Sequence, residues 1–212
     1  MDLVRGGRVL KTSTSRGALE PQRRHGKQRV ADLLEAGAAV IAERGYEAAT
    51  MTEVAARAGA PIGSLYRFFP NKQVLGEALL HRYADLIAAA FERISDDPSE
   101  LPLEGFVDAL LAVFVGLHGE SQTIVALLDA HSADWSAQRA ELHATCRERI
   151  VRKLQARAPH LSSEAAAPIA VVVMQNMKSM KSIATMIDGG DAAAVAELRE
   201  MTRLYLASKL KQ

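Results

Sequence analysis

The chain has 212 residues, 49% hydrophobic and 24% charged, with a formal net charge of +1, which is enough length and apolar content for a soluble, globular protein of one large domain or two small ones. Its single cysteine, Cys146, excludes an internal disulfide framework, and no Cys/His spacing resembles a zinc site, so neither a metal nor a cofactor is expected. The longest apolar run, residues 165–174, is about half of the roughly 20 residues a membrane span needs, and the basic first 20 residues lack the apolar block of a secretory signal, so a cytoplasmic protein without membrane attachment is expected.

The charge is unevenly spread. Residues 1–72 hold 12 Lys+Arg against 7 Asp+Glu, and the remainder holds 14 against 18. A positive field over the N-terminal portion attracts phosphate irrespective of sequence. Residues 1–26, rich in Arg, Gly, Ser and Thr, read as a flexible basic arm; Arg23, Arg24 and Lys27 stand where such an arm reaches a DNA backbone or minor groove.

Apolar spacing then predicts a first helix over 27–44, with Val30, Leu33, Leu34 and Ile41 on one stripe and Val40 beside it. Gly37 on that stripe weakens the helix by about 1 kcal/mol relative to Ala, so its use is to admit a close neighbour. Gly45 ends the helix, and Tyr46 is expected to pack into the small core closed by Val54, Leu65 and Phe69.

Residues 50–72 outline a helix-turn-helix. Thr50 with Glu53 forms the capping-box pattern. Val54, Ala55 and Ala58 share a face of the short helix that follows. Gly59 stops that helix in the left-handed region, and Pro61 opens the next, which runs over 62–69. Leu65 and Phe69 point inward, leaving short residues, Ile62, Gly63 and Ser64, and donors, Tyr66, Arg67 and Lys72, to face DNA.

The run Gly59, Ala60, Pro61, Ile62, Gly63, Ser64, Leu65, Tyr66, then Phe69, Pro70, Asn71, Lys72 resembles the signature of the tetracycline-repressor (TetR) family, over about residues 29–83. The resemblance implies an all-α, homodimeric, ligand-responsive transcriptional regulator. By the family's pattern Thr52 touches the DNA backbone, Ile62, Gly63 and Ser64 face bases, and Tyr66 and Lys72 hold phosphates; with Thr50 and Arg67 these form the candidate DNA-binding set. The chain departs from the family at Ala60 and Pro61, where Val and a polar residue are common, and at Phe68, where His or Tyr is frequent. Its operator sequence therefore does not follow from the resemblance.

A long helix is expected over 71–94, capped by Asn71 and carrying Val74, Leu75, Leu79, Tyr83, Ile87 and Phe91 inward. It joins the DNA-binding domain, 27–72, to a ligand-binding and dimerisation domain, 73–212. That second domain reads as helical throughout. Its segments are 103–117, then 122–131 capped by Ser121, a helix from Asp134 or Ser136 to about 157, a long helix from Ser162 and Ser163 to Asp188, and a last one capped by Asp191. The last two carry more small and apolar residues than one packed face needs, among them Ala165, Ala166, Ile169, Val172, Val173, Val195, Leu198 and Tyr205. They are the expected dimer elements.

Phe106, Leu110, Phe114, His131, Trp135, Met174 and Met177 are the candidate walls of an effector pocket, with Met180 beside them and Gln175, Asn176, His143 and Asp134 as polar anchors. The effector expected is small and largely apolar. Two other readings compete. A helical enzyme using Cys146 and His143 leaves the first 72 residues unexplained, and a membrane-surface protein lacks the apolar face that its basic arm would need. The sequence therefore predicts a repressor that binds double-stranded operator DNA, and no enzyme.

Overall fold

The computed structural model describes residues 24–95, 97–130, 135–186 and 191–211, and every regular element among them is an α-helix. In chain order these are α1 (Arg24–Ala48), α2 (Met51–Arg57), α3 (Ile62–Phe68), α4 (Lys72–Glu92), α5 (Leu103–Val115), α6 (His118–Leu128), α7 (Ser136–Arg157), α8 (Ser163–Ala184) and α9 (Ala192–Lys209). None is long and apolar enough to cross a membrane.

Several ends lie where local chemistry predicts them. Asn71 accepts the Val74 N–H at 2.9 Å to open α4, Ser162 the Ala165 N–H at 3.2 Å to open α8, and Asp191 the Ala193 and Ala194 N–H groups at 3.0 Å each to open α9. Gly45, at φ +76°, breaks the helical path of α1 where a stop was expected.

Other ends differ from expectation. α1 begins at Arg24, three residues before the predicted boundary, so Arg24 and Lys27 belong to its first turns; Arg23 lies outside the described residues. α6 begins at His118, ahead of the expected Ser121 cap, and so contains both Gly119 and Ser121. Tertiary packing overrides the local signal there: α6 lies against α1, and the buried Thr123 hydroxyl donates to the Ala38 carbonyl at 3.0 Å. α4 ends at Glu92 rather than Ile94, and α8 at Ala184, short of Asp188, which lies outside the described residues.

The three N-terminal helices close over Leu33, Ile41, Val54, Leu65 and Phe69, all buried, with Tyr46 among them. This small core would be marginal alone. It does not stand alone, because α4 buries Val74, Leu75, Leu79, Tyr83, Ile87 and Phe91, the stripe read from spacing, along one core that continues into the larger unit. A Cβ added at Gly37 would lie 3.2 Å from the Leu75 side chain, so that glycine is what admits α4 to α1. In the larger unit α8 is central, packed by α5, α7 and α9.

Neither α1 nor α4 has a basic residue in its last turn. Each receives a lysine from another element instead. Lys153 of α7 donates to the Ile94 and Ser95 carbonyls beyond α4 at 2.8 and 3.1 Å, and Lys72 serves the end of α1. An ammonium there satisfies carbonyls that have no intrahelical donor and opposes the negative end of the helix dipole.

Candidate functional site

The α2–turn–α3 unit begins at Thr50, whose hydroxyl accepts the Glu53 N–H at 3.2 Å while the Glu53 carboxylate accepts the Thr50 N–H at 3.1 Å, completing the capping box. The Thr50 hydroxyl also donates to that carboxylate at 2.9 Å, and this bond, foremost, holds the Glu53 carboxyl below its ordinary pKa. Thr50 is thereby committed to shaping α2. Arg57 forks onto Glu43 at 2.6 and 2.8 Å, tying α2 to α1. Gly59 turns the chain at φ +57°, a conformation that other residues resist, and Pro61 starts α3.

α3 divides cleanly into two faces. Leu65, Phe68 and Phe69 are buried. Ile62 is 41% and Tyr66 48% exposed, although both are large and apolar in body. Gly63 and Arg67 are exposed beside them, Ser64 is half-buried, and a Cβ at Gly63 would meet nothing within 4 Å. Thr52 is exposed on α2. The departure at Phe68 is thus an inward one: its ring packs in the core with the Arg67 guanidinium 4.6 Å above it, and the outer surface is unaltered by it.

Lys72, expected to grip phosphate, lies elsewhere. Its ammonium donates to the carbonyls of Tyr46, Glu47 and Ala49 at 2.8, 3.0 and 3.2 Å and stands 4.6 Å above the Tyr46 ring. All three of its N–H donors are used in closing the chain after Gly45. No signal near Lys72 in the sequence announces this, because the partners lie more than twenty residues away.

Trp135 also leaves its predicted place. It is buried at the start of α7, edge-on to Tyr46 with centroids 5.6 Å apart, and its ring edge would come within 2.8 Å of a Cβ at Gly76. It joins the larger unit to the helix-turn-helix one through Tyr46 and the start of α4. Of the other predicted pocket residues, Phe106, Leu110 and Met177 are fully buried in the shared core, and His131 lies outside the described residues, as does Asp134. Asn176 is occupied in binding α9, its amide donating to Thr202 at 3.0 Å.

Phe114 and Met174 do line a cleft, of about 440 Å³, between α4, α5, α6, α7 and α8. Tyr83, Ile87, Ile124, Val125, Leu142 and Cys146 add apolar wall, and Arg139, His143, Lys178 and Lys181 add basic groups that the sequence reading passed over apart from His143. Their spacing along α7 and α8 marks a shared face, but only packing decides that the face is hollow. A second groove of about 370 Å³ lies between α1, α4 and α6, sharing Tyr83 and Ile124 with the first.

Burial pushes the Cys146 thiol up to about 11, so at neutral pH it is protonated and unsuited to nucleophilic attack. Burial, and then Lys178 and Arg139, hold His143 below its ordinary value. Among the described residues no three His, Cys, Asp or Glu side chains converge as a metal site. Val171 and Val172 of α8 and Met201 and Leu204 of α9 are exposed.

Residues 33–79 match the family profile described as "Bacterial regulatory proteins, tetR family", and residues 102–206 match "Tetracyclin repressor-like, C-terminal domain". The HTH-type transcriptional repressor KstR2 of Mycobacterium tuberculosis is 35% identical over 95 residues, 44% of this chain and 47% of that protein. The HTH-type transcriptional repressor KstR of Rhodococcus jostii is 38% identical over 82 residues, 37% of this chain and 35% of that protein. The chain thus spans about half the length, or less, of these curated relatives. A TetR-family transcriptional regulator from Streptomyces coelicolor has the same fold, with a TM-score of 0.62 at 23% identity over 88% of this chain and 99% of that one.

Proposed function

The chain belongs to the tetracycline-repressor (TetR) family, carrying that family's N-terminal signature over residues 33–79 and its C-terminal one over 102–206, and from this premise we propose that it is a homodimeric repressor released from operator DNA by a small-molecule effector. The observation that carries the proposal is the two-faced α3, anchored by Leu65, Phe68 and Phe69 while Ile62 and Tyr66 stand exposed. Exposing those two residues to water has no advantage for the fold. Against a major groove, Ile62, Gly63 and Ser64 are short enough for base edges, and Tyr66, Arg67 and Thr52 supply phosphate donors. Lys27, in the first turns of α1, extends the contact along the backbone.

The exposed Val171, Val172, Met201 and Leu204 favour a dimer through α8 and α9. Two-fold pairing would set two α3 helices about one DNA turn apart. The name repressor rests on the relatives KstR2 and KstR, which bear it. A regulator of this kind works in the cytoplasm, without catalysis.

The effector belongs in the cleft lined by Phe114 and Met174, next to α4. For it to release DNA it must bind the geometry that does not fit the operator better than the one that does, and operator must then weaken effector binding by the same factor, about 5 to 150-fold. Electrophoretic mobility shift with the DNA upstream of the protein's own gene, run at several salt concentrations, tests the reading. A retarded band resistant to unrelated competitor DNA is expected; equal competition by any DNA would reject a specific operator.

A further inference from the structure

The cleft changes character along its length. On α7 the lining residues run outward from Cys146 to His143 and Arg139, and on α8 from Met174 to Lys178, Lys181 and then Ser182. Apart from the last, from Lys181 to Ser182, these are steps of three or four residues, so one groove begins apolar and ends basic. The His143 Nε2 and the Lys178 Nζ are 3.3 Å apart across it.

Among the described residues, Lys178, Lys181 and His143, beside an Arg139 that has a partner of its own, face one carboxylate in the lining, that of Asp129. Burial alone depresses the Lys181 pKa, with no carboxylate countering it among the described residues. His143 is depressed by burial and by its cationic neighbours. Positive charge gathered and partly dehydrated in this way is unfavourable in the empty cleft and becomes favourable when an anion enters.

We propose that the effector is an amphipathic anion, its apolar body seated between Ile87, Phe114 and Met174 and its anionic head held by Lys178 and Lys181. A volume of about 440 Å³ suits a ligand of that kind. The small, largely apolar effector expected from sequence would gain from Lys178 and Lys181 only by carrying an anionic group as well. The proposal rests on the effector-binding reading above and narrows it to one chemical class.

Calorimetric titration of the DNA-free protein with decanoate, decanol and decyltrimethylammonium, all below their micelle concentrations, tests it. Decanoate should bind at least tenfold more tightly than either, Lys181→Gln should abolish that preference, and Lys181→Arg should retain it. Lys178→Gln gives the same reading should Lys181→Gln melt at lower temperature. Equal affinity for acid and alcohol, tighter binding of the cation, absence of decanoate binding, or an unchanged preference in folded Lys181→Gln overturns the proposal. Operator binding is measured separately by mobility shift: a chain that binds DNA but not decanoate refutes only this inference, and one that binds decanoate but no DNA refutes only the repressor reading.

Discussion

Replacing Lys72 by Met keeps most of the aliphatic stem and removes the ammonium that joins the start of α4 to the end of α1. Three carbonyls lose their donor, those of Tyr46, Glu47 and Ala49, of which the first and last bonds are partly buried. A hydrogen bond to a charged group contributes about 1.5–3 kcal/mol when buried. Water can reach the freed carbonyls here, so about 1 kcal/mol for each partly buried bond is the reasonable figure, and the exposed third adds little. The ammonium over the Tyr46 ring adds about 0.5–1 kcal/mol. The total, about 2–3 kcal/mol, corresponds to a fall in Tm of about 4–12 °C for a chain of this size. Thermal unfolding followed by circular dichroism reads it directly. A lysine that serves phosphate alone gives the opposite pattern, an unchanged Tm and a salt slope reduced by about 0.9. A Tm within 1 °C of wild type, together with that reduced slope, would refute the assignment of Lys72 as a helix-end staple.

Gly76→Ala places a methyl 2.8 Å from the Trp135 ring and 3.1 Å from Leu127, so despite better helix propensity it should destabilise by about 1–2 kcal/mol; unchanged Tm and unchanged tryptophan emission would show that the joint yields freely. Ser64→Ala should alter base preference within each half-site by about 1–3 kcal/mol per disturbed contact, read by selection from a randomised operator, and an unchanged motif would remove Ser64 from the reading set. Cys146, buried and with its pKa pushed up to about 11, should react with iodoacetamide in the native protein far more slowly at pH 8 than free cysteine does, accelerating only as pH climbs toward 11; complete labelling within minutes at pH 8 would contradict that burial.

Much of the helix-turn-helix was legible because its determinants are local. A capping box lies within four residues, a left-handed glycine is fixed by its own φ, and the two faces of α3 follow from which side chains a short helix must bury to stay attached. The α4 stripe, Val74 to Phe91, was legible for the same reason, since helical spacing puts those residues on one side whatever they meet. Phe68 was the exception on α3: its ring could not be assigned inward until α3 was seated on its neighbours.

The sequence by itself therefore determined the helices, most of their caps and which face of α3 stays outside. Tertiary structure alone decided what lies between the helices. Spacing identifies a buried face without saying whether the partner face fills it, and so Phe106, Leu110 and Met177 became solid core while Phe114 and Met174 border a cleft. Lys72 and Trp135 changed roles because each meets backbone or ring from a distant part of the chain, Lys72 across 23 to 26 residues and Trp135 across the whole length of α4, α5 and α6. Such contacts depend on where rigid helices come to rest against one another, which is set by the sum of all their packed surfaces and by no stretch of sequence taken alone.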